Sequence, residues 1–137
     1  MQEPALHATA EVAFLVGESD LASALSPDPQ DVFPQVFATS RLIAFMELAA
    51  ARLLRPLLGP GELSVGVTIE ASHTAATPPG STVRATARYL GREGKLYLFE
   101  VVAHDDFGEI GRGTHKRSII TLDRLLSGAA RRKKGGT

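Results

Sequence analysis

Apolar and polar positions change their period twice along this chain. From Thr39 the run "TSRLIAFMELAAARLLRPLL" is dense in good helix formers, with Thr39 or Ser40 placed to cap and Pro56 to close it, which predicts a helix from Thr39 to about Pro56. Apolar side chains fall nearly all round it, at Leu42, Ile43, Ala44, Phe45, Met46, Leu48, Ala49, Ala50, Leu53 and Leu54, so it is expected to be a buried central helix. After "GPGE" the period drops to two. Val65, Val67, Ile69 and Ala71 share one parity and Ser64, Thr68, Glu70 and Ser72 the other, the mark of a half-buried strand. "STVRATARYL" and "KLYLFEVVAHD" read as two more strands joined at "GREG", and "IGRGTHKRSIITL" as another after the turn "DDFGE".

Two stretches break the pattern. "LSPDPQDVFPQVF" carries Pro27, Pro29 and Pro34, each of which restrains its own φ and steers its predecessor away from helix, so a lid-like segment is expected over about residues 20–38. The Gly/Arg/Lys-rich end, about residues 127–137, reads as a flexible tail. The remainder forms one domain, residues 1–137, of the α+β class. A hydrophobic helix followed by an antiparallel sheet of at least four strands buries both layers only if the sheet wraps the helix, the hotdog architecture. An open sheet leaves edge strands, and a homodimer joining two sheets edge to edge is the natural remedy.

Composition narrows the chemistry. The chain has no cysteine, which removes disulfides, thiolate metal sites and a Cys nucleophile, and permits a cytoplasmic setting. Fifteen basic residues balance fifteen acidic ones, but Arg131, Arg132, Lys133 and Lys134 sit together in the tail. Without them the body has a deficit of four positive charges, a poor surface for nucleic acid, whose affinity comes mainly from Lys and Arg at phosphates. The longest early apolar run, "VAFLV", is too short to cross a membrane or to serve as an export signal.

Three polar residues resist a purely structural reading. Glu47 has Ile43, Ala50, Ala51 and Leu54 as its helical neighbours, so no Lys or Arg of the helix is placed to pair with it. It is either a general base or acid prepared by that setting, or a rim or interface glutamate that reaches solvent. His73 continues the parity of Val65 to Ala71 and points toward the helix that carries Glu47, as a core histidine or a catalytic one. Thr39 has an ordinary role as a helix cap, yet its hydroxyl stands at a helix N-terminus, where backbone N–H groups also favour an oxyanion. His104 and His115 read as structural or surface residues, with His115 a weak candidate for touching a ligand. No His or carboxylate pair has zinc-like spacing, so no metal is expected. "GEIGRG" lacks the strand and helix of a dinucleotide fingerprint, and no G-x-S-x-G is present.

"FPQVFATSRLIAFMELA", "SVGVTIEASHTAATPPGSTV" and "AHDDFGEIGRGTHKR" together resemble the fluoroacetyl-CoA thioesterase group of hotdog enzymes over about residues 33–122. That resemblance implies a catalytic Thr, Glu and His at Thr39, Glu47 and His73, a glycine at Gly66 that lets acyl substrate approach the backbone, and a gating phenylalanine at Phe33. It also implies a homodimer that hydrolyses a short-chain acyl-CoA to free acid and CoA without metal or organic cofactor. The chain departs from the family pattern at Gln30 and at Ser40 and Arg41, all near the expected acyl pocket. A non-catalytic acyl-CoA binding module and a hotdog enoyl-CoA hydratase are the alternatives.

Overall fold

Residues 2–135 are described by a computed structural model. The predicted helix is α1, Thr39–Leu54, and it buries Leu42, Met46, Ala49, Ala50 and Leu54, a stripe at three- and four-residue spacing. Five strands face it: β1 (Thr9–Leu15), β2 (Glu62–His73), β3 (Thr82–Glu93), β4 (Leu96–Asp105) and β5 (Gly108–Thr121). All neighbours are antiparallel, in the order β1-β3-β4-β5-β2. The inward faces of β3 and β4 supply Val83, Ala85, Ala87 and Tyr89, then Tyr97, Phe99, Val101 and Ala103, every second residue along each strand. Alanines on both layers, Ala49 and Ala50 against Ala85, Ala87 and Ala103, leave room for helix and sheet to approach closely, and the large aromatics fill the ends.

Three features differ from the expectation. The helix is not enclosed on all sides: Ala44 is exposed and Leu48 keeps 38% of its surface, because one sheet covers only one side of a cylinder. β1 is an additional strand that pairs with β3 through Thr9↔Arg88 to Leu15↔Thr82; its seven residues hold the first four of the run "VAFLV", an apolar stretch too short and too near the terminus to stand out. The sequence expected as a flexible tail from about residue 127 is helical through Gly135, within α2 (Leu122–Gly135), which buries no side chain. Residues 136 and 137 lie outside the described residues. Among the described residues no helix is long and apolar enough to cross a membrane.

The proline-rich segment is tied at both ends and open in the middle. Asp20, nearly buried, accepts from the Gly17 amide and from Arg41 Nε, and its carbonyl accepts from the Ala38 amide. Leu21 bridges Phe37 just before α1. Between these ties Val32 is 85% exposed and Phe33 48%.

At the outer edge of the sheet β2 carries a bulge. Its register against β5 shifts between Gly66 and Thr68, so Val67 has no partner and stands exposed. The extra residue reverses the parity of the strand's first half. Gly66 opposite Arg117, and Ile69 opposite His115, therefore face the same side, toward α1.

Candidate active site

Thr39 is the first residue of α1, preceded by Ala38 in an extended conformation with no side-chain cap. Its hydroxyl is thus not spent on capping. It lies 2.7 Å from Nδ1 of His73, the last residue of β2. Backbone ties hold the two ends together: Thr74 N donates to Ile110 O, Phe37 N donates to Thr77 O, and the fully buried Thr77 hydroxyl donates to Asp105. The "TPPG" turn therefore anchors both the strand that ends in His73 and the segment that enters α1.

The pair opens onto a cleft of about 380 Å³ walled by Pro34, Val36, Phe37 and Ala75. Phe37 meets the His73 ring edge-on at 6.3 Å between centroids. Burial holds the His73 imidazole below its ordinary value, with a backbone group of Ala75 pulling partly the other way. Nε2 of His73 is buried and hydrogen-bonds no protein group. A neutral imidazole with one nitrogen held by a hydroxyl and the other unengaged can pass a proton in a largely apolar setting.

Glu47 lies elsewhere in the chain. Eight residues along α1 place it about 12 Å along the axis from Thr39, and no hydrogen bond joins it to Thr39 or His73. Its partner is Arg117 of β5, whose Nη1 donates to Glu47 Oε2 at 3.1 Å. The absence of a helical partner was legible in sequence; the partner on a distant strand was not. Arg117 also donates from Nε to Ser64 Oγ and from Nη2 to Ser64 O, and its side chain is only 8% exposed while that of Glu47 is 39% exposed. A Cβ on Gly66 would run into Glu47 Oε2 and sit 3.3 Å from His115 Cε1. The bare backbone at Gly66 is what admits the carboxylate.

His115, which the sequence left as structural or surface, is 1% exposed and lies in the core, its ring tilted against Phe99 at 6.3 Å between centroids. The polar run "GTHKRS" alternates, so that His115 and Arg117 point inward while Lys116 pairs outside with Glu93. That two-residue spacing was the available signal, masked by the strand's high overall polarity. Phe33 stands on the open part of the proline segment, beside Pro34 rather than on the cleft wall.

A family model described as fluoroacetyl-CoA-specific thioesterase matches residues 16–123. The chain belongs to this family. Among curated relatives, this thioesterase is 48% identical over 93 residues to the fluoroacetyl-CoA thioesterase of Streptantibioticus cattleyicolor, covering 68% of this chain and 67% of the relative. Among solved structures it matches that of the fluoroacetyl-CoA thioesterase FlK with a TM-score of 0.87 and 38% identity, covering 96% of both chains. A thioesterase superfamily member from Thermus thermophilus gives the same TM-score at 27% identity, covering 98% of this chain and 96% of that one. The fold is the hotdog fold of these enzymes, and the chain is a thioester hydrolase.

Proposed function

We propose that this thioesterase hydrolyses short-chain acyl-CoA, with fluoroacetyl-CoA as the first substrate to test, to free acid and CoA, as a cytoplasmic homodimer. The observation that carries the reading is the 2.7 Å contact of Thr39 with His73 beside a cleft at the N-terminus of α1. The acyl carbonyl lies near that helix end, where unpaired N–H groups favour a developing oxyanion. Glu47 supplies the basic oxygen, toward water or directly at the acyl carbon through an anhydride. His73 delivers a proton to the departing thiolate, and Thr39 orients the imidazole. Phe33 gates the cleft and Gly66 gives acyl substrate access to bare backbone.

The dimer follows from the separation of Glu47 from the other two residues. Among the described residues β2 has no partner on its outer edge, and exposed Val67 lies on that strand. Two β2 edges paired antiparallel, with the two-fold axis near Ile69 and Glu70, set Gly66 of one copy opposite His73 of the other. Glu47, which lies against Gly66, then reaches the Thr39–His73 pair of its partner subunit.

Thiol release from a panel of short acyl-CoAs, including acetyl- and fluoroacetyl-CoA, tests the reaction. The expected result is turnover by the wild type and its loss in Glu47→Gln and His73→Ala. Saturable binding of intact thioesters without thiol release, or absorbance loss with enoyl-CoA and no free thiol, contradicts it.

A further inference from the structure

The cluster behind Glu47 contains one group that the reaction as drawn does not use. His115 is buried between β2, β4 and α1, and its two ring nitrogens have different partners. Nδ1 lies 2.7 Å from the carbonyl oxygen of Thr68, which only accepts, so Nδ1 carries the proton. Nε2 lies 3.1 Å from Nη1 of Arg117, which only donates, so Nε2 is the acceptor. Both contacts are satisfied in one state alone, the neutral imidazole protonated on Nδ1.

Arg117 Nη1 has two hydrogens, held in the plane of the guanidinium. One is accepted by His115 Nε2 and the other by Glu47 Oε2. With Nε and Nη2 fixed on Ser64, taking one Nη1 hydrogen leaves the other a single direction, toward the carboxylate. We propose that His115 is a positioning residue for thioester hydrolysis, aiming Arg117, and through it Glu47, by accepting one hydrogen bond. This rests on Glu47 acting in the reaction as proposed above.

The arrangement is pH-sensitive in a definite direction. Charged or titratable groups facing His115 are Arg117 on its own strand and Glu47 on α1; β4 presents Phe99, and β2 presents the uncharged Thr68 and Ser64. Burial, the larger cause, and the Arg117 charge lower its affinity for a proton, against the Thr68 carbonyl and Glu47, which raise it. As pH falls through that lowered value, Nε2 gains a hydrogen that faces the Arg117 donor. The acceptor is lost and Arg117 is released from its aim at Glu47.

Nitrogen NMR of the imidazoles in the wild type reads the tautomer without any turnover. A protonated Nδ1 and a bare Nε2 at neutral pH are expected; the opposite tautomer overturns the inference even if the thioesterase assay succeeds. His115→Phe keeps the ring's bulk and removes the acceptor, and should lower kcat about tenfold with KM little changed. His115→Gln offers an amide oxygen near the position of Nε2, and should recover most of that loss while shifting the acid limb of the kcat profile to lower pH. If His115→Phe does not fold, the His115→Gln profile decides. An acid limb superimposable on that of the wild type, or wild-type kcat in a folded His115→Phe, overturns the proposal.

Discussion

The hydroxyl of Thr39 and Nδ1 of His73 are 2.7 Å apart although 34 residues separate them, because the first turn of α1 and the last residue of β2 meet at one end of the molecule. Since no side chain caps α1, removing this hydroxyl should spare the helix and strike the imidazole. Thr39→Val is expected to lower kcat about 10²-fold, within the range of a positioned acid–base group, while Thr39→Ser keeps most activity. Thermal unfolding run alongside the kinetics checks the assignment. A melting temperature that drops in proportion to the lost activity would make Thr39 structural.

Gly66 and Glu47 form a second coupled pair. Gly66→Ala sets a methyl where the Glu47 carboxylate lies, and that carboxylate is the end of a side chain able to swing aside. The cost in stability is therefore expected to be about 1–3 kcal/mol, as for a small overpacked residue, while kcat falls up to about 10²-fold from misplacement. Wild-type kcat in Gly66→Ala would show that the position of Glu47 against Gly66 has no bearing on turnover.

Stability should fall as the solution is acidified toward about pH 5. His73 and His115 both bind a proton less readily in the folded chain than at the ordinary value of 6.5, burial being the larger cause in each. Their folded-state pKa values are depressed, so the stability they contribute is present above the unfolded value and is lost as pH falls through the folded ones. Urea midpoints measured from about pH 8 down to about pH 5 check this, a window above most carboxylate titration. His115→Gln should flatten the dependence, and a wild-type midpoint constant across the window contradicts it.

A site shared between two copies makes a complementation prediction. Glu47→Gln and His73→Ala are each expected to be inactive alone, yet a dimer mixed from the two restores one intact site of its two. Equal mixing after dissociation should then regain up to about a quarter of wild-type activity, since half the dimers are mixed. No recovery, with mixed dimers verified by mass, would place all three residues in one chain's site.

The layout was largely legible in the sequence. "RLIAFMELAAARLL" has helical spacing, β2 to β5 alternate between strong turn signals, and a helix and sheet of that kind have few ways to bury their faces. β1 escaped notice because its seven residues gain strand character mainly from pairing with β3. Local pattern also left the environment of one residue open and misjudged that of another. His115 lies between Thr and Lys in a polar run that reads as surface, and Leu48 belongs to a helix that reads as buried throughout.

Sequence alone determined that Glu47 lacks a partner within its helix, that Thr39 begins that helix and that His73 ends a strand, since these depend on spacing a few residues apart. Only the tertiary structure decided what each one touches. One unpaired residue at Val67 turns Gly66 to the same side as Ile69 and makes room for Glu47 beside Arg117. A single extra residue in a period-two strand exchanges its faces, and where that residue falls depends on pairing with β5, far along the chain.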